Sequence, residues 1–396
     1  MNAKETVPEP GDLEKVPPGY LGATPAPGQL PARGERMYVD RPEQLLHAAS
    51  VLKQSHVIAI DAEFVQVRSR VPGELATSSH RLALLQLAVD EHCFVVDAWR
   101  LLDLSPLRSV VEDPAFSVLL HGAGADMRVM SERDLHVAHY YDLEAASRSI
   151  FGQHESSLAA MLQRAFNVRL DKSLQRTDWT RRPLPPAMVA YAARDAEMTL
   201  ALYYWLDQHY RQVLKLHEYT DEPEPGAAWI EPFLRGTSPV SPEVAIAEAK
   251  EQGVLTEEQI YADCRAALAL LKHPMYRSRL LRLIADLALV QMVPEIEPLL
   301  QAPTADERGA AARALGRMGV EQSATAIQPL LQDPVYDVRK AAQHALHNLN
   351  NTNPRAQATA PVRLTDGTRS WSVGSDPNDT GDDSDWKARL RSMMEP

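Results

Sequence analysis

The first clear pattern in the chain is a short apolar run that leads directly into charged residues. Residues 57–60, Val-Ile-Ala-Ile, are rich in β-branched side chains, and the run is too short for a helix. It is typical of a buried strand. Two similar runs follow at 81–90 and 92–98, with a turn around Asp90 and Glu91 between them. Three consecutive strands with short connections predict an antiparallel meander.

The pattern becomes helical after residue 104. It is interrupted at 116–126 by a short apolar strand and a glycine turn, and residues 156–216 are mainly helical in period. Strands that are followed by alternating helices and strands predict an α/β domain, in which a mixed sheet is flanked by helices.

An internal repeat occupies the C-terminal half of the chain. The stretch "IEPLLQAP" at 296–303 recurs 31 residues later as "IQPLLQDP" at 327–334, and Arg277, Arg308 and Arg339 recur at the same interval. A period near 30 with two apolar-faced helices per unit predicts an all-α solenoid of about three units, which resembles the short HEAT-like repeats. Such a solenoid braces a neighbouring domain, or it contacts a protein or a nucleic acid.

Composition marks the boundaries between these regions. Proline and glycine are frequent in the first 36 residues, and proline and acidic residues collect around 218–245. We expect a disordered leader at 1–36, the α/β domain at 37–217, an acidic proline-rich linker at 218–260, the helical repeats at 261–350 and a disordered tail at 351–396.

Charge and cysteine content restrict the environment of the protein. The 396 residues are 45% hydrophobic, which suffices for two domains with cores, and the net charge of −12 removes the simple electrostatic argument for a nucleic-acid partner without excluding one. The two cysteines, Cys93 and Cys264, are far apart. No apolar run is long enough to span a membrane, and the N-terminus lacks the pattern of a secretory signal. We therefore expect a soluble protein of a reducing compartment, the cytoplasm, without a membrane partner.

Two carboxylates follow the first apolar run. Asp61 and Glu63 are separated by one residue, so in a strand both side chains lie on one face, about 7 Å apart, while Ala62 and Phe64 point to the other face. Like charges at the edge of a core repel each other and lose hydration, and a hard divalent cation would relieve both costs. Taken alone, the pair fits equally well a strand that emerges into water.

Three further stretches carry candidate chemistry. In "LLHGAGADMRVM", His121 ends an apolar strand and Asp126 stands at the start of a helix, where a carboxylate is stabilised, so a helix cap is the alternative. In "YAARD", Tyr191 and Asp195 share one helical face; otherwise Tyr191 packs in the core and Asp195 meets a neighbouring arginine or solvent. The segment 170–184, "LDKSLQRTDWTRRPL", is basic and polar around one tryptophan.

Together these stretches resemble the DEDD exonucleases that carry a tyrosine in the third motif, and "LDKSLQRTDWTRRPL…YAARDAEMTLALY" is similar to ribonuclease D in particular. The resemblance covers about residues 37–216. It implies a ribonuclease H-like fold and a metal-dependent 3′→5′ exoribonuclease that acts on single-stranded RNA 3′ ends, with tRNA and other structured precursors as typical substrates. Carried over by motif, the ligands of two Mg²⁺ or Mn²⁺ ions would be Asp61, Glu63, Asp126 and Asp195, and Tyr191 would orient the attacking water. Four carboxylates approximately balance two divalent cations, the arrangement that two-metal phosphodiester hydrolysis requires.

The resemblance also implies substrate contacts. Phe64 packs against the terminal nucleotide in that family, and a core phenylalanine is the alternative. Lys172, Arg176 and Arg182 would hold phosphates or compensate charge at the site, unless they form ordinary surface salt bridges. His121 is a further candidate, although a hydrogen-bonded turn histidine fits it better because hard cations prefer oxygen ligands.

Two departures from ribonuclease D affect the choice of substrate. Ala62 replaces a usual threonine, but its side chain faces away from the proposed metals, so activity should survive. The repeats stand where helical HRDC modules typically follow the nuclease, so RNA specificity cannot be carried over. A DNA 3′→5′ exonuclease is one alternative. The other is a non-catalytic scaffold that binds partners through the repeats, against which the complete set of acids and Tyr191 argues.

Overall fold

The computed structural model of the chain describes residues 27–31, 34–69, 77–175, 177–220 and 226–350. The predicted tail, most of the predicted leader, and Arg176 lie outside these ranges. Within them, a mixed sheet with helices on both faces is followed by a stack of helices, which confirms the predicted fold class.

Seven strands form one sheet: β1 (Glu35–Val39), β2 (Val57–Ser69), β3 (Thr77–Ala88), β4 (His92–Val96), β5 (Ser117–Leu120), β6 (His139–Asp142) and β7 (Glu218–Thr220). Their order is β1-β4-β3-β2-β5-β6-β7. Strands β2, β3 and β4 pair antiparallel, as the meander predicts, whereas β5 pairs parallel with both β2 and β6. The carboxyl end of β5 therefore lies beside β2 near Ala59, two residues before Asp61.

Six helices cover the sheet: α1 (Pro42–Leu52), α2 (Arg108–Val111), α3 (Gly124–Ser131), α4 (Leu143–Phe151), α5 (Leu158–Phe166) and α6 (Pro186–Lys215). The alternation of β2 assigns its side chains to two cores. Ile58 and Ile60 pack with α1, α2 and α3, whereas Ala59 packs on the opposite face with α4, α5 and α6. Asp61 and Glu63 follow Ala59 in the same alternation, so they lie on the face that α6 covers.

The C-terminal region consists of α7 (Glu231–Arg235), α8 (Pro242–Glu251), α9 (Glu257–Leu270), α10 (Pro274–Asp286), α11 (Val293–Ile296), α12 (Ala305–Met318), α13 (Ala324–Ile327) and α14 (Tyr336–Asn350). Short 3₁₀ segments, Glu297–Gln301 and Gln328–Gln332, extend α11 and α13. Helices α12 and α14 approach closely at Gly316, where a Cβ would lie 2.5 Å from the Cα of Ala345. This stacking of repeated helix pairs confirms the predicted solenoid.

The arginines that recur every 31 residues have a common structural role. Each donates hydrogen bonds to backbone carbonyls at the end of the preceding helix or in the turn before its own helix: Arg277 to Leu268 and Leu271, Arg308 to Ala302 and Pro303, and Arg339 to Asp333 and Pro334. These bonds satisfy carbonyl groups that the turns would otherwise leave without a partner.

The segment 218–260 is more ordered than the prediction of a linker implies. It contains β7, α7 and α8, and Ile230, Leu234 and Ile246 are buried in the core of the repeats. Its prolines account for the difference, because Pro232 and Pro242 stand in the first turns of α7 and α8, where a missing backbone N–H costs nothing. The domain boundaries themselves stay predictions.

Among the described residues, no helix combines the length and the apolar character needed to cross a bilayer. Cys93 and Cys264 are both buried free thiols.

Candidate active site

The first two candidate acids lie on the long strand β2. Asp61 is directly opposite Gln86 of β3 in the register, and Glu63 is opposite Leu84. Ala62 is buried in the core on the other face, so the predicted alternation holds. A register shift between Glu63 and Phe64 follows immediately, and it marks the point where β2 leaves the regular ladder.

Helix α6 supplies the third acid. Asp195 and Tyr191 lie one turn apart on this helix, which packs on β2 and β3. One carboxylate oxygen from each of Asp61, Glu63 and Asp195 lies within 4.8 Å of the others. Asp195 is more than 130 positions from Asp61 and Glu63 in the sequence, so the fold brings acids from two distant segments together.

The fourth acid, Asp126, lies outside this group of three but close enough for its charge to act on two of its members. It is buried in the first turn of α3, whose N-cap is Ala123, so Asp126 is not the helix cap that the sequence left as an alternative. Its charge raises the pKa values of both Asp61 and Glu63.

A residue that the sequence analysis did not single out, Asp142, fixes the start of α3. Its carboxylate accepts hydrogen bonds from the backbone N–H groups of Gly122 (3.0 Å) and Ala123 (3.3 Å), and it also caps α4. Gly122 has φ +81°, a conformation that favours glycine. The signal for Asp142 was available, because it ends an apolar strand directly before a helical pattern, as an N-cap does.

The electrostatics of the cluster are unfavourable without a cation. Burial raises the pKa of Asp61 well above its ordinary range, and Asp126, Asp195 and Glu63 raise it further. Burial followed by repulsion from neighbouring acids raises the pKa of Glu63 to about 8 and that of Asp126 to about 7. The pKa of Asp195 rises to about 6, because burial outweighs the opposing effects of Arg194 and Lys172.

The residues present fit a divalent metal site. All donors are carboxylate oxygens, the ligands that hard cations prefer. Among the described residues, buried Oδ1 of Asp195 has no hydrogen-bond partner, and neither has the side-chain amide of Gln86, opposite Asp61. An oxygen that is buried, charged and unpaired is costly unless a cation or an ordered water binds it.

Tyr191 lies close enough to the acids for their charges to act on its phenol. Its ring lies 6.1 Å from that of Trp179, centroid to centroid. Burial and the charges of Asp195, Glu63, Asp171 and Asp61 raise its pKa to about 12, so the phenol keeps its proton at neutral pH.

The predicted substrate contacts fall into different surroundings. Lys172 is exposed and close enough to lower the pKa of Asp195, so it fits charge compensation. Phe64 is partly buried against the core, with its ring edge-on to His80 at 5.4 Å. Arg176 is outside the described residues, and nothing is assigned to it.

Arg182 and His121 form contacts within the fold. Arg182 donates to both oxygens of Asp97, at 2.6 and 2.5 Å, and its remaining N–H groups donate to backbone carbonyls. This is the salt-bridge alternative to phosphate binding, and it leaves Arg182 no free donor. His121 donates from Nε2 to the carbonyl of Ser156 at 3.0 Å, as a turn histidine does.

Comparison with known proteins agrees with both halves of the fold. Residues 37–210 match the 3′-5′ exonuclease family, and residues 265–359 match the HEAT repeats.

Individual relatives and solved structures are similar to parts of the chain. Ribonuclease D of Haemophilus influenzae is 30% identical over 165 residues, which are 41% of this chain and 39% of that protein. Protein RRP6-like 3 of Arabidopsis thaliana is 34% identical over 167 residues, which are 41% of this chain and 18% of that protein. The crystal structure of Escherichia coli RNase D is 20% identical, with a TM-score of 0.41, over 82% of this chain and 77% of that one.

The matched region thus spans less than half the length of these two relatives. Within that region the family match, the order of the motifs and the converging acids agree. Residues 37–210 therefore match a 3′-5′ exonuclease domain, and HEAT repeats follow it.

Proposed function

We propose that this protein is a metal-dependent 3′→5′ exoribonuclease that hydrolyses phosphodiester bonds at single-stranded RNA 3′ ends. The observation that carries the proposal is the convergence of Asp61, Glu63 and Asp195 within 4.8 Å, with no arginine or lysine paired to any of them among the described residues. Such a cluster in a 3′-5′ exonuclease domain has a chemical use, because it concentrates negative charge where divalent cations are needed.

The family resemblance assigns the roles of the residues, and the surroundings of each residue support them. Asp61, Glu63, Asp126 and Asp195 would hold two divalent cations, Mg²⁺ or Mn²⁺. When bound, such ions supply Lewis-acid stabilisation of the phosphoryl and leaving oxygens. Tyr191 keeps its proton, so it would position the attacking water by hydrogen bonding rather than deprotonate it.

Two side chains near the acids fit contacts with the substrate. Lys172, whose charge reaches Asp195, would approach the terminal phosphate. Phe64 follows Glu63 directly and is partly exposed, so its ring would pack against the terminal base, a contact that tolerates any base.

The choice of RNA rests on the relatives, two of which are named ribonuclease D and protein RRP6-like 3. A cytoplasmic location belongs to the same proposal, and two buried free thiols are consistent with a reducing compartment.

The test is release of nucleotides from labelled RNA and DNA oligonucleotides of the same sequence, with Mg²⁺ or Mn²⁺ and with EDTA. The wild-type protein should shorten RNA from the 3′ end only when a divalent cation is present, and Asp61→Asn should not. Equal activity of the wild type and Asp61→Asn would refute the proposal, and faster cleavage of DNA would change its substrate.

Absence of divalent binding by calorimetry, together with capture of a protein partner through residues 261–350, would favour the scaffold alternative.

A further inference from the structure

A cleft lies between the exonuclease domain and the repeats. Its cavity volume is about 380 Å³. One wall is the end of α4 with the following turn, Gly152 and Gln153, and the other wall is formed by α12 and α14. The cleft is therefore built jointly by the two halves of the chain.

Three cations from three helices line this cleft: Arg148 of α4, Arg313 of α12 and Lys340 of α14. Among the described residues, none of the three forms an ion pair with a carboxylate. His344, one turn after Lys340, adds a fourth nitrogen-bearing side chain. Unpaired cations that converge from separate elements are the usual form of a site for phosphate groups.

The two carboxylates of the cleft are held by the opposite wall. The Oγ of Ser149 donates a hydrogen bond to Oδ2 of Asp306, and the backbone N–H of Gln153 donates to Oδ2 of Asp337 at 2.7 Å. Asp306 and Asp337 thus bind the repeats to the exonuclease domain. Three cations still exceed these two anions, so the cleft is positive even with His344 neutral.

Two glycines shape the walls. A Cβ at Gly309 would lie 3.2 Å from Nη1 of Arg313, so the guanidinium lies across the helix at the position that a side chain would take. Glycine inside a helix costs about 1 kcal/mol relative to alanine, and here it makes room for the arginine. At Gly152 (φ +91°), a Cβ would lie 2.8 Å from Cγ1 of Val335, so only glycine permits this approach of the walls.

Hydrogen bonds connect the cleft to the strand end that precedes Asp126. The Oγ of Ser156 donates to the carbonyl of Gln153 at 3.1 Å, and Nε2 of His121 donates to the carbonyl of Ser156 at 3.0 Å. His121 directly precedes the turn that places Asp126. Two hydrogen bonds thus join the turn at Gln153, which lines the cleft, to the end of the strand that precedes Asp126.

Positive charge continues beyond the cleft. A neighbouring cavity of about 210 Å³ shares Arg148 and Asp306 with it and adds two arginines. Of these, Arg279 donates to the carbonyl of Leu234, and Nε of Arg282 lies 3.7 Å from Oδ2 of Asp286. The cations thus extend along the boundary between the exonuclease domain and the repeats, as expected for a chain of phosphates rather than for one small anion.

We propose that this cleft binds phosphates of single-stranded RNA upstream of the 3′ end, with Arg148, Arg313 and Lys340 as the contacts. The identity of the strand rests on the proposed function. The arginines offer forked donors to phosphate oxygens, and Lys340 offers a mobile point charge. The repeats thereby extend the substrate site of the exonuclease domain.

The test measures RNA binding without cleavage, by fluorescence anisotropy of a labelled 20-nucleotide RNA in an Asp61→Asn background. Lys340→Gln is the first variant, because Lys340 is exposed and its replacement leaves the fold intact. Arg313→Gln/Lys340→Gln is the second, and Lys272→Gln, an exposed lysine outside the cleft lining, is the matched control.

We expect the double variant to bind the RNA about tenfold more weakly and to lower the slope of log affinity against log salt by about 1.4, or about 0.7 per lost contact. Lys340→Gln should lower the slope by about 0.7, and Lys272→Gln should leave it unchanged. A four-nucleotide RNA tests the position of the contact: it lacks the upstream phosphates that we assign to the cleft, so it should bind all variants equally. Thermal unfolding midpoints confirm that the variants are folded.

Several results would overturn the inference: an unchanged affinity of Lys340→Gln and the double variant, an equal loss in Lys272→Gln, or binding of polyglutamate as tight as that of RNA, which would indicate an acidic protein partner instead. The proposed function fails separately. A wild-type protein that binds RNA through the cleft but cleaves nothing would refute the exonuclease proposal alone. If the protein is active but the cleft variants bind RNA as the wild type does, only the proposal that the cleft binds RNA is refuted.

Discussion

The repeats and the exonuclease domain both bury acidic side chains, but they treat them in opposite ways. In the repeats, Asp333 receives two hydrogen bonds from the buried guanidinium of Arg308, at 2.7 and 3.0 Å, and Glu307 pairs with Arg277 at 2.5 Å. In the exonuclease domain, Asp61 and its neighbouring acids face one another without such a partner. Burial alone therefore does not mark a functional acid, whereas burial without a counter-charge does.

The same contrast occurs within helix α6. Glu197 is bound by Arg36 through two hydrogen bonds of 2.6 Å, while Asp195, two residues earlier, has a buried oxygen without a partner. Both acids belong to one helix, so helix formation does not explain the difference. Glu197 is thus held within the fold by Arg36, whereas Asp195 has an oxygen that is available to a ligand.

The largest effect is expected when one acid of each kind is neutralised and nuclease activity is measured. Asp61→Asn should lower kcat/KM by about 1,000- to 10,000-fold, because the loss of the metal ligand proposed here would remove several kcal/mol of transition-state stabilisation. Glu197→Gln is the matched control and should retain activity within a few-fold. An equal loss in both variants would show that the unpaired acids have no special role.

The second largest effect concerns the paired acids. Arg308→Met should lower the free energy of unfolding by about 3–5 kcal/mol, because Asp333 stays buried without its counter-charge. The measurement is urea denaturation followed by circular dichroism. Arg308→Met/Asp333→Asn should recover part of the loss, since the neutral amide still accepts the backbone bond from Val335. A double variant less stable than the single one would contradict this explanation.

The unpaired acids predict a characteristic pH dependence of metal-free stability. Their folded pKa values lie above the unfolded ones, so the folded state holds extra protons between about pH 4 and pH 8. In EDTA, the unfolding midpoint should therefore fall as pH rises through this window, by an amount equivalent to roughly 2–4 kcal/mol. Excess Mg²⁺ should reduce the fall.

Asp195→Asn should make the same curve shallower in EDTA, because one of the titrating groups is gone. A midpoint that rises with pH in the absence of metal would contradict the assignment, since that is the behaviour of paired acids such as Asp97, whose pKa the Arg182 and Tyr38 hydrogen bonds lower against the opposing effect of burial.

A smaller effect is expected at Tyr191. Tyr191→Phe should lower kcat by about tenfold to a hundredfold, because in the proposed mechanism the hydroxyl orients a water but binds no metal. The concentration of Mg²⁺ needed for half-maximal rate should stay the same, and this separates the variant from Asp61→Asn. If Tyr191→Phe needs a different Mg²⁺ concentration for its half-maximal rate, Tyr191 contributes to the metal site.

Local patterns in the sequence predicted much of the fold. The meander β2-β3-β4 and the solenoid were predicted because alternation and a period of 31 residues are properties of contiguous segments. The strand and helices within 218–260 were not predicted, because a high content of proline and acidic residues suggests an open chain. It does not reveal that Ile230 and Leu234 complete the core of the repeats.

The candidate site could be predicted only as far as its motifs reach. The acids and Tyr191 were identified from three short stretches, and the structure brings Asp61, Glu63 and Asp195 together. The pairing of Arg182 with Asp97, 85 positions away, could not be read from the sequence, and neither could the contact of Arg36 with Glu197. Such pairs depend on the packing of distant segments, which composition and spacing do not encode.

The most direct test of the central claim is calorimetric titration of Mn²⁺ into the metal-free protein. The account predicts saturable binding in the wild type and in Glu197→Gln, and loss of that binding in Asp61→Asn and Asp195→Asn. Wild-type protein that takes up no Mn²⁺, or an Asp61→Asn variant that binds it as the wild type does, would contradict the account.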